Sequence, residues 1–237
     1  MVTKKLGVVC GLAAALVVMG ASVTESDEGA SISYEVAAVK GKLLREDPLP
    51  QEKLRLGDQA TSGALLRTGW RSSAEIAAPE EGVRFTLSSR TRVRLATDRP
   101  GVLLEVEKGR LRAVFEKLSS GPTRDRNVVT PSAILAVRGT EYGVAVSKSG
   151  ETNVVVFSGV VDVTDLAAHG PAVSVKAGEY CTIQRGQLPS RAMPHHMNRG
   201  GWDKGHMPSS MSGHGSGSSM GHHKSGHSSS GSMGHDG

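Results

Sequence analysis

Residues 142–163 read YGVAVSKSGETNVVVFSGVVDV, and this stretch decides the fold class. Valines alternate with small or polar residues around two turn pairs, Ser149-Gly150 and Ser158-Gly159. A period of two places every second side chain on one face of an extended chain, while glycine supplies the positive φ that a tight turn requires. The stretch therefore predicts short β-strands joined by tight turns.

The same alternation recurs on both sides of this stretch, and no window shows a sustained helical period. The runs that show it are Val83, Phe85 and Leu87; Val93 and Leu95; Val102, Leu104 and Val106; Leu111, Ala113 and Phe115; Val173 and Val175. Further turn pairs separate them at Glu81-Gly82, Pro100-Gly101, Lys108-Gly109, His169-Gly170, Ala177-Gly178 and Arg185-Gly186. We predict an all-β domain over residues 32–190, with about ten to fourteen strands of ordinary length.

A series of short motifs adds a family resemblance. A Leu56-Gly57-Asp58 turn comes first, followed by Thr68-Gly69-Trp70-Arg71-Ser72, by the segment TPSAILAVRGTEY at 130–142, and by a late Ala177-Gly178-Glu179 turn. This order of segments resembles the FecR-domain family over about residues 36–188. The resemblance implies an extracytoplasmic all-β domain with twisted or solenoid-like sheets, and a β-sandwich is the alternative architecture.

The best-known FecR proteins sense signals at the cell envelope as the periplasmic part of membrane-spanning regulators of sigma factors. Here only five residues, 1–5, precede an apolar segment, so the resemblance does not extend to a cytoplasmic anti-sigma domain. We therefore expect a stand-alone, secreted FecR domain that binds or senses something without holding a sigma factor itself.

Residues 1–23 have the composition of a secretory signal peptide. Lys4 and Lys5 precede an uncharged stretch, Leu6 to Val23, which ends in the small residues Gly20, Ala21 and Ser22. The alternative is an uncleaved N-terminal membrane anchor, because eighteen apolar residues are just enough for a span. Either reading places the domain in the periplasm or outside the cell, with membrane contact only through this segment.

Charge and cysteine content exclude several classes of protein. The net charge of +5 includes Lys4 and Lys5 and a surplus of two bases after residue 190, so residues 22–190 carry only +1. That near-neutral balance argues against a nucleic-acid partner. Two cysteines, Cys10 and Cys181, are too few for a disulfide framework, and we expect Cys181 to pack as a small hydrophobic residue in a strand rather than to form an intermolecular bridge.

Residues 191–237 differ sharply in composition, because Gly, Ser, His and Met supply 36 of these 47 residues. The scarcity of apolar strand formers predicts a disordered tail. Imidazole binds Cu, Ni and Zn, and thioether favours Cu(I), so we predict Cu or Ni binding, with Zn less favoured. The candidate ligands are His195, His196, Met197, His206, Met207, Met211, His214, Met220, His222, His223, His227, Met233 and His235. The alternative is that the tail is only a flexible spacer.

Arg90, Arg92 and Arg94 alternate with other residues, so the pattern predicts three guanidinium groups on one face of a strand. Such a row could hold phosphate or carboxylate groups of an envelope polymer or an acidic partner, or it could be a charged outer face that blocks edge association. Trp70, in the FecR-like segment, is interpreted as core or rim packing rather than as a binding anchor.

No catalytic constellation is apparent in the sequence. His169 is the one histidine of residues 32–190, and its position beside Gly170 in a turn predicts a turn residue rather than the base of a hydrolase. We expect a non-enzymatic module with no required cofactor. Two functions stay open: a binding or sensing module with a metal-binding tail, or a module for an unidentified envelope protein or polymer whose tail is a spacer.

Overall fold

The alternating runs form β-strands in the computed structural model, which describes residues 32–96, 99–116, 126–167 and 170–207. All of them belong to one unit that begins at Ile32. The prediction of an all-β domain is confirmed. The strands are β1 Ser33–Lys40, β2 Leu43–Asp47, β3 Glu52–Leu54, β4 Gln59–Thr61, β5 Leu65–Thr68, β6 Ser73–Ala78, β7 Val83–Leu87, β8 Arg92–Leu95, β9 Val102–Phe115, β10 Asn127–Val129, β11 Ala133–Val137, β12 Glu141–Val146, β13 Thr152–Ser158, β14 Val160–Asp165, β15 Val173–Lys176, β16 Glu179–Ile183 and β17 Met193–Pro194.

Two further elements of the described residues are helical: a 3-10 turn at Pro79–Glu81 and a short helix, α1, at Arg199–Asp203. The strands form two sheets that share β9. Sheet one has the order β4-β1-β6-β7-β9-β12-β13-β16-β17. Sheet two has the order β3-β2-β5-β8-β9-β10-β11-β14-β15.

The chain winds between the two sheets in hairpins. From β10 onward, the pairs β10–β11, β12–β13, β14–β15 and β16–β17 lie alternately in sheet two and sheet one. Almost all pairings are antiparallel, and the pairing of β9 with β10 is parallel. A chain that alternates in this way encloses one core between two facing sheets, which combines the winding of a solenoid with the layers of a sandwich.

Strand β9 changes sheets at Gly109. Its first half pairs with β8 and β10, and its second half with β7 and β12. Gly109 has a φ of +101°, and a Cβ there would lie 2.5 Å from the backbone of Thr91. The Thr91 hydroxyl donates to the Arg110 carbonyl and accepts from the Arg110 amide, at 2.9 and 3.0 Å. The turn predicted at Lys108-Gly109 is therefore wrong, because this glycine bends one long strand.

The core lies between the sheets and is built from the alternating residues. On β7, Val83, Phe85 and Leu87 are buried while the residues between them are more exposed. Phe115 contacts Phe85 edge-on and Tyr142 in a stacked arrangement, both at 6.0 Å between ring centroids. These side chains form one cluster with residues of both sheets, so each sheet buries one face in a common core.

Two predictions from the sequence were too small: the number of strands and the C-terminal limit of the folded unit. Sixteen of the described strands lie within residues 32–190, where ten to fourteen were predicted, because β3, β4 and β10 are only three residues long and too short to show alternation. The folded unit also continues past the boundary predicted at Ser190, since β17 and α1 lie beyond it. Local composition missed this extension because a single buried aromatic residue, Trp202, anchors it.

Cys181 is buried in β16, as predicted, and it is a free thiol in the described part of the chain. Burial raises the pKa of its thiol, and contacts with Ser190 partly oppose that shift. Residues 1–23 lie outside the described residues. Within the described ranges, no helix has the length and apolar character needed to cross a membrane.

Candidate functional site

Residues 191–207, here called the strap, cover the outer face of sheet one. Trp202 of α1 is fully buried there against Val155 and Tyr180, with partly buried methionines packed around it. Its indole Nε1 donates to the Leu111 carbonyl at 3.0 Å. A buried Trp whose N–H has a partner is a strong anchor, so the strap is part of the folded unit.

Gly143 of β12 leaves the space that the Trp202 ring occupies. A Cβ at position 143 would lie 2.3 Å from the nearest atom of the Trp202 ring. Glycine is normally unfavourable inside a strand, and it is tolerated where another group approaches the backbone closely. The glycine of the EYGV segment is therefore explained by a residue 59 positions later in the chain, counting from Gly143 to Trp202.

Ion pairs hold both ends of α1 to the sheet. The Arg112 guanidinium contacts Glu141 and Asp203, each at 3.1 Å, and Arg199 contacts Glu141 at 2.6 Å. Burial alone would lower the pKa of Arg112, but Asp203 and Glu141 more than offset it and raise that pKa. The carboxylate of Asp203 is therefore already neutralised by Arg112 of β9.

A pocket of about 330 Å³ lies between the strap and the end of sheet one where β9 bends. Four strands of sheet one, two turns and α1 contribute to it, and we call it the strap pocket. Its lining residues are Lys40, Arg71, Ser72, Ser73, Thr86, Leu87, Ser88, Ser89, Arg110, Asp203 and Lys204. A volume near 300 Å³ is at the small end of the range for ligand-binding pockets.

Charge in the strap pocket is strongly unbalanced. Four cations, Lys40, Arg71, Arg110 and Lys204, face a single carboxylate, that of Asp203. Among the described residues, none of the four cations has an ion pair, whereas Asp203 is held by Arg112. Serine and threonine hydroxyls supply the remaining polar lining. Those of Ser72 and Ser89 already donate to the Trp70 and Gly69 carbonyls, so the four cations and the other three hydroxyls are the donors that face the pocket.

Arg110 is the least solvated of these cations. Its guanidinium lies 5.7 Å from the centroid of the Trp202 ring, and its Nε is buried without a hydrogen-bond partner among the described residues. Burial lowers the pKa of Arg110, and the charge of Asp203 partly opposes that shift. A desolvated guanidinium with unused donor capacity favours an anionic ligand.

Trp70 lies beside the pocket and is 65% exposed, so it is not a core residue. The Arg71 guanidinium lies 4.4 Å from its ring centroid and that of Arg90 at 6.0 Å. Both arginines have a positive φ, 51° and 57°, which is costly for residues other than glycine. The Arg71 amide donates to the Ser89 hydroxyl at 2.9 Å, which joins the two turns and places Arg71 at the pocket.

The predicted arginine row is divided by the fold. Arg92 contacts Glu46 at 3.0 Å and Glu107 at 3.2 Å, and Arg94 contacts Asp47 at 3.0 Å. Arg90 lies before β8, in the turn beside Trp70. Only Arg90 of the three is left without a carboxylate in the described part of the chain, so an anionic partner on this row stays a prediction.

The predicted metal ligands have different positions. His195 is 9% exposed; its Nε2 lies 3.1 Å from the Val156 carbonyl, and its Nδ1 accepts from the Met197 amide at 3.0 Å. Both ring nitrogens are thus occupied. Met197 and Met207 pack around Trp202, while His196 and His206 are exposed.

The other predicted ligands lie outside the described residues: Met211, His214, Met220, His222, His223, His227, Met233 and His235. Within residues 32–207, leaving out the undescribed gaps, no group of three or more His, Cys, Asp or Glu side chains could hold a metal ion. The metal-binding tail therefore stays a prediction. His169 also lies outside the described residues.

Sequence analysis did not identify the strap pocket. Its cations come from positions as far apart as Lys40 and Lys204, and no local motif connects them. In the sequence, Arg71 belongs to a FecR-like motif and Lys204 to the segment predicted to be a disordered tail. The one sequence signal that could have helped is the glycine inside the EYGV strand, which indicates a close approach by another group.

Comparison with known proteins identifies the domain. Residues 64–162 match the family model described as FecR protein. Two crystal structures of a candidate anti-sigma factor from Parabacteroides distasonis ATCC 8503, at 2.50 and 1.65 Å resolution, align with 16% identity and a TM-score of 0.45. Each alignment covers 55% of this chain and 59% of the other, so the chain spans less than two thirds of those proteins.

The comparison with curated proteins found no match. The family match lies inside the range over which the sequence motifs predicted it, and it includes the segment at 130–142. The predicted FecR resemblance is therefore confirmed over residues 64–162.

Proposed function

We propose that this chain is a non-enzymatic binding and sensing module of the bacterial cell envelope, and that its ligand is an anion held in the strap pocket. The observation that carries the proposal is the unpaired charge: four cations line the pocket, and its one carboxylate is already bound by Arg112.

Electrostatics favour an oxyanion over a neutral ligand. With Asp203 counted, the pocket residues carry a net charge of +3, four positive against one negative. A phosphate group carries about −1.5 to −2 charge near neutral pH and accepts several hydrogen bonds, so it would balance more of this charge than a carboxylate. The guanidinium groups and the hydroxyls of Ser73 and Ser88 supply the matching donors, whereas those of Ser72 and Ser89 already donate to backbone carbonyls.

The composition of the pocket supports binding without catalysis. Its lining includes no histidine or cysteine, and its one carboxylate is engaged by Arg112, which leaves the serine hydroxyls without an adjacent general base. The location outside the cytoplasm is supported by the signal-peptide composition of residues 1–23 and by the FecR domain.

Calorimetric titration with hydrogen phosphate, sulfate and acetate tests the proposal. The protein should bind phosphate at low ionic strength, and Lys40→Gln combined with Lys204→Gln should weaken binding about tenfold. The matched control is Lys53→Gln combined with Lys176→Gln, two exposed lysines outside the pocket, which should bind as the unchanged protein does. Absence of binding to all three anions, or equal losses in both double variants, would contradict the proposal.

A second candidate function is soft-metal binding by the His- and Met-rich residues. It is favoured by the concentration of eight of nine histidines and six of eight methionines in residues 191–237. Titration of the full chain and of a chain ending at Met207 with Cu(I), Cu(II) and Ni(II) separates this function from a spacer. A metal-binding tail predicts several sites that disappear on truncation; identical weak binding by both chains would favour the spacer.

A third candidate function is binding of an envelope protein or polymer, and not of nucleic acid. It would use the same cationic surface, because Arg71 and Arg90 lie beside the pocket on an exposed Trp70. A polymer with phosphate groups would then compete with free phosphate, whereas a partner bound elsewhere would not.

A further inference from the structure

We infer that the strap is the sensing element of this domain: ligand binding in the strap pocket and docking of α1 on sheet one are coupled. This inference rests on the proposed function, since it assigns a mode of regulation to the same site.

The strap forms part of the wall of the pocket. Asp203 and Lys204 line it from the end of α1, whereas the remaining lining residues belong to the sheet and its turns. Gly205 follows directly, and a Cβ at this position would lie 3.0 Å from a terminal nitrogen of Arg110. The pocket is therefore complete only when α1 is docked.

Arg110 connects the ligand site to the anchor of the strap. The Trp202 ring lies over its guanidinium at 5.7 Å, and Gly205 lies close to the guanidinium nitrogens. Undocking α1 would expose Arg110 to water and remove Lys204 and Asp203 from its surroundings. A ligand that contacts Arg110 and Lys204 together therefore binds the docked state more tightly than the undocked state.

The strap has two parts with different attachments. Its first part pairs through β17 with β16, and the His195 amide donates to the Gly178 carbonyl at 2.7 Å. Its second part, 198–207, has no strand pairing in the described structure and is held by Trp202 and by the ion pairs of Asp203 and Arg199. Local opening of the second part thus breaks few interactions, while the sheet stays intact.

Coupling of this kind is reciprocal. If phosphate binds the docked state more tightly, it increases the docked population, and a change that undocks α1 lowers the affinity for phosphate by up to the same factor. Binding would then be reported by whether the end of the strap, Met207, is held on sheet one. The His- and Met-rich sequence continues from this residue.

Hydrogen exchange of the full chain, with and without hydrogen phosphate, tests the coupling. The reporting amides are those of Trp202, Lys204, Gly205 and His206, which donate to carbonyls within residues 198–202. At a phosphate concentration one hundred times Kd, their exchange should slow by up to about a hundredfold. The amide of Leu135, in the core strand β11, serves as the internal control and should not change.

The reverse direction uses Trp202→Ala, with Trp202→Phe as the conservative variant. Trp202→Ala should weaken phosphate binding at least about tenfold, and Trp202→Phe should restore much of it. Phosphate binding by the unchanged protein with no change in exchange at 202–206 would overturn the inference and leave the proposed function intact. Absence of phosphate binding by the unchanged protein would refute the proposed function itself.

Discussion

Two arginine clusters on this domain have similar composition and opposite pairing. On β8, Arg92 and Arg94 lie among Glu46, Asp47 and Glu107, and each guanidinium contacts at least one carboxylate. In the strap pocket, Arg71 and Arg110 have no carboxylate partner among the described residues. On the proposed function, the comparison teaches that an anion site depends on unpaired cations rather than on their number, because the charge of a paired guanidinium is already balanced by its carboxylate.

The difference between the two clusters would be contradicted most strongly if the strap could be displaced without loss of phosphate binding. Gly143→Ala should displace it, because the new Cβ would overlap the Trp202 ring. We expect a loss of about 1–3 kcal/mol in the free energy of unfolding, from urea denaturation, and loss of detectable phosphate binding. Ala136→Val, at an exposed position of β11, is the control and should change neither quantity.

Gly→Ala in an extended strand normally changes stability little or favourably, so the effect must come from the ring of Trp202. In a Trp202→Ala background, Gly143→Ala should therefore lower the free energy of unfolding much less. An equal loss in the free energy of unfolding in both backgrounds would mean that a group other than the Trp202 indole occupies the space over Gly143.

The next largest effect is expected from the two arginine clusters themselves. Arg110→Gln removes a desolvated cation from the pocket and should weaken phosphate binding roughly 10- to 150-fold, which corresponds to about 1.5–3 kcal/mol for hydrogen bonds to a charged group. Arg94→Gln removes a cation that Asp47 already neutralises, so calorimetry should show unchanged affinity. Similar losses in both variants would show that overall charge, and not pairing, governs binding.

A smaller effect should follow from unpairing the β8 cluster. Glu46→Gln combined with Asp47→Asn leaves Arg67, Arg92 and Arg94 with fewer carboxylates and should create a second, weak phosphate site. The variant should also be less stable by about 1–3 kcal/mol in thermal or urea unfolding, because partly buried charges lose partners. A destabilised protein with one phosphate site, as before, would indicate that unpaired cations also need the concave shape of the strap pocket.

The smallest effect is expected at the edge of the pocket. Trp70→Ala removes the ring that orients Arg71, and an exposed cation–π contact contributes about 0.5–1 kcal/mol. Phosphate affinity should fall roughly two- to fivefold, with no change in the unfolding midpoint because Trp70 is exposed. Trp70→Phe should retain most of the affinity, and a loss of stability in Trp70→Ala would mean that the ring contributes to packing.

Much of the fold was predictable from local pattern. The alternating apolar runs became β7, β8, β9, β12, β13 and β14, and the glycines at 82, 101, 150, 159, 178 and 186 all adopt the positive φ predicted for turns. The FecR resemblance was confirmed over residues 64–162. These features depend on neighbours within a few residues, which a sequence displays directly.

The candidate site was much less predictable. The arginine row was visible because its members are close together in sequence. The acidic residues that pair with it belong to β2 and β9. His195 looked like a metal ligand, and the structure uses both of its ring nitrogens within the fold. Pairing, burial and the position of the strap depend on contacts across the whole chain, so composition could not indicate them.

Sequence alone determined the strand periodicity, the positions of most tight turns and the family of the domain, because backbone geometry and side-chain alternation are local properties. Only the tertiary structure decided which cations are free. The packing of Trp202 over Gly143, together with the ion pairs of Asp203 and Arg199, brings the strap onto sheet one and places Lys204 and Arg110 around one pocket. A charge acquires a binding role from the charges around it, and in a β-fold those neighbours come from distant parts of the chain.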